Sequence, residues 1–256
     1  MSNRSCDNKR PSFTENDIPD LTGYVTIVTG VAIRNTRIYI ARRSEQRVNQ
    51  TIRDIQQSVP GQRLDLRFLE LDLHDLSSAK ATAKAFSMLE DRLDLLIHNA
   101  GIMTVPFELT KDGYERQWQV KYLSPFLMTT LLLPLLLSAA SRSQRRDRVR
   151  MVNVASDMAF ALGPKKIEWE DVNMTKTKGM IETHKRYSHP KQAAIRSSKE
   201  LNDLYGHQGI TAYSLHPGLI KLNLQSGNKT LLGRLSSVAM NLSRTTALEG
   251  SYNTLF

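Results

Sequence analysis

The sequence predicts an α/β fold: a parallel sheet doubly wound by helices on both faces. Three observations predict it. Short apolar runs alternate with helical patterns, as βαβ units require. The runs are nearly continuous, as strands covered on both faces are. The 256 residues, 40% of them hydrophobic, suffice for one substantial core.

Each element follows in order. Tyr24 to Thr29 (YVTIVT) reads as the first strand, Ile38 to Ala41 (IYIA) as the second and Leu66 to Asp72 (LRFLELD) as the third. Leu76, Ala79, Ala83, Phe86 and Leu89 then recur at helical spacing behind a capping Asp75, which predicts an amphipathic crossover helix. Leu93 to His98 (LDLLIH) is the fourth strand. Phe126 to Ala140 (FLMTTLLLPLLLSAA) falls short of the about 20 apolar residues a membrane helix needs, and Pro134 interrupts it, so a buried core helix is expected and no membrane span. Val149 to Ala155 (VRMVNVA) and Ile210 to Leu215 (ITAYSL) supply the fifth and sixth strands.

Composition narrows the function. The net charge is +10, yet apart from residues 141–150 (SRSQRRDRVR) the basic residues are scattered, and that stretch reads as a solvated loop. Nucleic acid is therefore not an expected partner; the charge suits solubility and an anionic cofactor. The single cysteine, Cys6, cannot build a disulfide framework, and no metal-ligand spacing occurs. A reducing, cytoplasmic setting is expected. Residues 1–15 read as a disordered tail without the apolar core of a secretory signal, and residues 16–256 as one domain.

In an open parallel sheet the ligand lies beyond the carboxyl ends of the strands. Those ends read Thr29-Gly30, Leu71-Asp72-Leu73, His98-Asn99-Ala100-Gly101, Asn153-Val154-Ala155-Ser156 and His216-Pro217-Gly218. Tyr187 and Lys191 follow Ser156 at Y-x-x-x-K spacing. Singly, each has a plain reading: Asp72 a helix cap, Ser156 a strand-end hydroxyl, Arg43 a surface charge, Tyr187 a half-buried helix residue, His216 strand-end packing.

Together and in this order, the motifs resemble the short-chain dehydrogenase/reductase family from about Ile18 to Tyr252. DLTGYVTIVTG, VPFELTKDGYE and EDVNM further resemble its fungal retinol-dehydrogenase-like branch. The resemblance implies a Rossmann-type NAD(P)-binding domain and an oxidoreductase that moves a hydride between nicotinamide and an alcohol or carbonyl of a small, fairly apolar molecule. Tyr187 would be the acid/base, with Lys191 lowering its pKa from the same helix face and holding the nicotinamide ribose, and Ser156 would hold the substrate oxygen. Gly30, Asp72, Asn99, Ala100, Gly101, Pro217, Gly218 and Ile220 would bind the cofactor beside Tyr187 and Lys191. Arg43, with no acidic residue in Ala41-Arg42-Arg43-Ser44 to take a ribose hydroxyl, would meet a 2′-phosphate, which favours NADP. Family members pair through their long helices, so a homodimer is implied as well.

The chain departs from the family in several places. Val31 to Arg37, seven residues, lead straight into strand two where a crossover with its helix takes about 10 to 12. Either strand two is displaced or the first helix is missing, and the glycine-rich phosphate cradle is expected to be gone in both cases. Lys121 stands where the family's catalytic asparagine falls, at both the reaction centre and the cofactor, and Leu222 replaces a cofactor-binding threonine. Pro190 pushes His189 away from α geometry, so a helix starting there would separate Tyr187 from Lys191. Residues after Gly250 are too few for the family's last helix and strand, so the last strand is expected to be missing. The 31 residues from Ser156 to Tyr187, EDVNMTKTKGMIETHKR among them, are expected to form a substrate-facing loop. The kept Ser156, Tyr187 and Lys191 favour an enzyme; the departures favour a catalytically impaired relative acting through partner binding.

Overall fold

A computed structural model of the chain describes residues 21–29, 36–58, 61, 64–103, 105–145, 148–176 and 180–218. Six strands form one sheet: β1 (Val25–Val28), β2 (Arg37–Arg42), β3 (Asp65–Glu70), β4 (Leu95–His98), β5 (Val149–Val154) and β6 (Ile210–Leu215). Their order is β3-β2-β1-β4-β5-β6, and every pairing is parallel. This is the doubly wound Rossmann order, in which the strand direction of travel reverses beside β1.

The period-2 geometry of a strand sends alternate side chains to opposite faces, and both faces are apolar here. Val25, Ile27, Tyr39, Leu96 and Met151 face one core, with Phe86, Met128 and Leu132 packed over them. Val28, Ile38, Ile40, Leu95, Ile97 and Val152 face a second core with Val48. The helices are α1 (Glu45–Ser58), α2 (Leu76–Leu89), the single turn α3 (Arg116–Trp118), α4 (Ser124–Ser141), the short α5 (Met158–Ala161) and α6 (Met180–Tyr205). Between α3 and α4 lies a π-helical turn, Gln119–Leu123.

Helix α2 matches its predicted span and cap: the Asp75 side chain accepts a hydrogen bond from the Ser77 N–H. Leu89, expected to face inward, is 60% exposed. The inward position one turn beyond Phe86 is taken by Glu90 instead, whose carboxylate accepts from the Tyr39 hydroxyl at 2.7 Å and from Arg37 Nη1 at 2.9 Å. The stretch Arg116–Ser141 is long and apolar enough to cross a membrane, with a mean hydropathy of 1.8 over an 18-residue window. Its α4 part nevertheless buries Met128, Leu132, Leu136 and Ala139, one turn apart, in the core that the sequence predicted for it.

Strand β2 sits directly beside β1, in register from Val25↔Arg37 to Val28↔Ile40, so the displaced-strand alternative is wrong. Only residues 29–36 separate the two strands, too short a link for a crossover helix. Gly30, in that link, lies outside the described residues, and so do Cys6, Ile220, Leu222 and everything else after Gly218.

Two buried histidines make the fold sensitive to acid. His98, at the end of β4, is 2.8 Å from the Thr129 hydroxyl, and burial pushes its pKa down to about 4. His189, on α6, is stacked on Trp118 at 4.5 Å and is held at about 4, again by burial. The unfolded chain takes up these protons near pH 6.5 while the folded chain refuses them until about 4, so stability is full above pH 6.5 and drains as the pH falls towards 4. His98 alone accounts for roughly 3 kcal/mol of that loss at about 1.4 kcal/mol per pKa unit. Urea unfolding at stepped pH should show the decline, and His98→Gln should flatten it.

Candidate active site

Each strand delivers its functional residues at its carboxyl end, on one rim of the sheet. At the end of β1 the Thr29 hydroxyl accepts from the backbone N–H groups of Asn99 and Ala100, both at 2.9 Å, and lies 3.3 Å from the Ile97 carbonyl. One side chain thus fixes the turn after β4 against the end of β1, and leaves Asn99 facing outward with Ala100 and Gly101 beside it. Sequence reading passed over Thr29; its signal was a hydroxyl at the strand end, next to the residue singled out.

At the ends of β2 and β3, Arg43 Nη1 comes within 4.0 Å of Asp72 Oδ2. Asp72 is not a helix cap, since Asp75 caps α2; its Oδ1 accepts from the His74 N–H at 2.9 Å, and its own N–H donates to the Ser78 hydroxyl. The Arg43 side chain is 65% exposed and open to an incoming anion. At the end of β6, Pro217 precedes Gly218, whose φ of +84° favours glycine, and His216 Nε2 lies 3.6 Å from Asp157 Oδ2 beside Ser156.

Helix α6 runs unbroken from Met180 to Tyr205 through Pro190. The expected departure of His189 from α geometry does not occur. The Glu168 N–H donates to His189 Nε2 at 3.1 Å and Trp118 stacks on its ring, so tertiary contacts hold the residue that proline would have displaced. The predicted long loop is corrected too: its last part, Met180 to Arg186, forms the first turns of α6. Tyr187 and Lys191 therefore lie one turn apart on one face. The Asn153 side chain fastens this helix to β5 by donating to the Ser198 hydroxyl at 2.9 Å.

At the candidate reaction centre Ser156, Lys121 and Lys191 are buried and Tyr187 is half-buried. Ser156, only 7% exposed, donates to Asp157 Oδ1 at 3.2 Å and accepts from the Met158 N–H at 3.3 Å. The Lys191 ammonium donates to the Val154 carbonyl, and burial lowers its pKa to about 8. Lys121 Nζ stands 3.7 Å above the centre of the Tyr187 ring and donates to Gln117 Oε1 at 3.0 Å. Burial, then the nearby Lys191, drive the Lys121 pKa well below its ordinary value. The Tyr187 pKa was expected to fall beside Lys191; instead burial raises it, against a smaller lowering by the Ser156 hydroxyl. The ammonium of Lys191 is engaged with a carbonyl, so withdrawal of the phenol from water dominates.

Serine, tyrosine and both lysines thus meet at one place, Arg43 and Asp72 at a second, and the Asn99 turn near β1 at a third along the same rim. Among the described residues, no cluster of histidine, cysteine or carboxylate side chains is suited to a metal ion.

Comparison with known proteins shows the family of the chain and the likeness of its fold. A family model described as short chain dehydrogenase matches residues 25–167. An uncharacterized oxidoreductase of Schizosaccharomyces pombe is 39% identical over 88% of this chain and 68% of its own length. The short-chain dehydrogenase/reductase drtF of Aspergillus calidoustus is 35% identical over 81% of this chain and 70% of its own, and human retinol dehydrogenase 11 is 34% identical over 80% and 63%. Among solved structures, an NADPH-bound carbonyl reductase from chicken fatty liver superposes with a TM-score of 0.61, covering 93% of this chain and 90% of that one at 19% identity, a likeness of fold.

Proposed function

The chain belongs to the short-chain dehydrogenase/reductase family of oxidoreductases, and from that premise we propose that it transfers a hydride between NADP(H) and an alcohol or carbonyl of a small, fairly apolar molecule. The observation that carries the proposal is the placing of Tyr187 one helical turn from Lys191 on α6, with the buried Ser156 near enough to its phenol to shift its pKa. The nicotinamide supplies the hydride when bound. Ser156 holds the substrate oxygen, and Tyr187, whose phenol carries its proton at neutral pH, hands it over in the reductive direction.

The residues fit the nucleotide. Arg43, exposed beside Asp72, supports recognition of a 2′-phosphate, and the Asn99-Ala100-Gly101 turn offers a surface for the adenosine half. Phe107 and Phe160, 44% and 75% exposed in the segments after β4 and β5, support an apolar substrate. A groove of about 460 Å³ between α4 and α6, bordered by Phe126, Ala193 and Leu204, supports pairing of two copies. A cytoplasmic setting and a single nucleotide-binding domain over residues 16–256 complete the reading, the first supported by the lone cysteine.

The short β1–β2 link and the lysine at position 121 favour a second reading, a catalytically impaired relative that acts through a partner. Cofactor binding separates the two. NADPH should raise the melting temperature of the purified chain more than NADH does, and Arg43→Ala should weaken NADPH by roughly ten- to hundredfold while leaving NADH nearly unchanged. Thermal protection by neither nucleotide would favour the partner-binding relative.

A further inference from the structure

The mechanism above leaves one buried nucleophile unused. Lys121 is 5% exposed, on the π-helical turn Gln119–Leu123, and such widened turns occur mostly at functional sites. Its Nζ stands 3.7 Å above the centre of the Tyr187 ring and donates to Gln117 Oε1 at 3.0 Å. Among the described residues it has no ion pair with a carboxylate. A buried ammonium without a counter-charge is costly, so the amine sheds its proton. Burial and then Lys191 act in that direction and Glu115 acts against it, with the outcome well below the ordinary lysine value. The bond to Gln117 uses an N–H, which leaves the lone pair of the neutral nitrogen unengaged. A desolvated lysine amine beside a second cationic group is the form that condenses with carbonyls. Lys191 differs: it donates to the Val154 carbonyl, and with a pKa of about 8 it stays mostly charged at neutral pH.

We propose that Lys121 is a covalent site for aldehydes, its amine condensing with an aldehyde held at Tyr187 to form a reversible imine. The inference rests on the proposed function only in placing a carbonyl at the Tyr187 phenol; it needs no nicotinamide. A carbonyl oxygen bonded to that phenol sits at the edge of the ring that Nζ covers, so amine and carbonyl carbon are neighbours. The nitrogen lone pair attacks the carbonyl carbon and forms the C–N bond, while the phenol lends a proton to the oxygen. The resulting carbinolamine loses that oxygen as water together with the two amine hydrogens, the phenol regains its proton, and a C=N bond remains. Amine and aldehyde thus give imine and water, and nothing is oxidised or reduced. Aldehydes are the class because they are the least hindered carbonyls, and the side chain they must reach is almost wholly buried.

The experiment incubates the full chain with hexanal and sodium cyanoborohydride at neutral pH, without nucleotide, and follows alkylation of each lysine by peptide mass spectrometry. The hydride reagent reduces the imine and fixes it as a stable secondary amine. Exposed lysines keep only on the order of one amine in 10³ neutral at this pH, so Lys121 should be alkylated at least roughly tenfold faster than they are. Unfolding the chain in urea should abolish the preference, and Lys121→Met should remove the fast site and leave the slow ones. Tyr187→Phe should slow the reaction at Lys121 by roughly tenfold or more, because the proton lent to the oxygen is lost. Alkylation of Lys121 at the rate of the exposed lysines, or fast alkylation of Lys191 in its place, overturns the site. An unchanged rate in Tyr187→Phe overturns the placing of the aldehyde at the phenol. Fast labelling of Lys121 in a chain that never oxidises NADPH sinks the hydride reading alone, whereas NADPH turnover with an inert Lys121 sinks this inference alone.

Discussion

Tyr187→Phe is expected to lower NADPH-dependent turnover on the order of 10²- to 10⁴-fold without unfolding the protein. In the proposed mechanism the phenol gives its proton to a substrate oxygen held by Ser156, and the Lys121 amine stands over its ring. Phenylalanine keeps the ring and its contact with Lys121, so the helix and its packing survive. Only the hydroxyl is lost, and Ser156 retains its bond from the Met158 N–H. Comparing turnover and melting temperature for the two proteins separates the effect on chemistry from any effect on folding. A variant with wild-type turnover removes the phenol from the mechanism.

The largest effect on stability is expected at the opposite end of the sheet. Asp94 is fully buried at the start of β4. Its Oδ2 accepts from the Val25 N–H at 2.9 Å and lies 3.4 Å from Arg92 Nε, while its Oδ1 accepts from Arg148 Nε at 2.7 Å. Arg148 also covers the Tyr24 ring at 4.4 Å. One carboxylate thus fastens the amino ends of β1, β4 and β5. Asp94→Ala strands a backbone N–H and two partly buried guanidinium groups, and is expected to destabilise the fold by roughly 3–5 kcal/mol in urea unfolding. Asp91→Ala, which breaks the exposed pair with Arg142, should leave the unfolding midpoint nearly unchanged. Equal effects at the two positions would contradict this account of burial.

The strands were legible in the sequence because each is a short, doubly covered apolar run, and β6 matched its predicted bounds, Ile210–Leu215. Helix α2 was legible because Ala79, Ala83 and Phe86 recur at its period. Helix α1 left little trace, since Val48 is its only fully buried residue and the remainder is polar. Proline misled the reading of α6: local preference argues against His189 in a helix, and only Glu168 and Trp118, distant in sequence, reverse it. In the site, residues fixed by motif could be named in advance, and so could Lys121 from its neighbours in VKYLSPF. Its position over the Tyr187 ring depends on a π-helical turn whose register is set by packing. The bonds of Thr29 to the Asn99 turn are likewise contacts between distant segments, which spacing along one chain does not reveal.

The central claim is that Ser156, Tyr187 and Lys191 act together on a carbonyl beside a nicotinamide at the carboxyl rim of the sheet. Its most direct test is transfer of deuterium from C4-deuterated NADPH to a panel of apolar aldehydes and ketones, followed by mass spectrometry. The account predicts alcohols carrying one deuterium on the former carbonyl carbon, formed by the wild-type chain and suppressed in Tyr187→Phe. Unlabelled products, or labelling that Tyr187→Phe leaves intact, would contradict it.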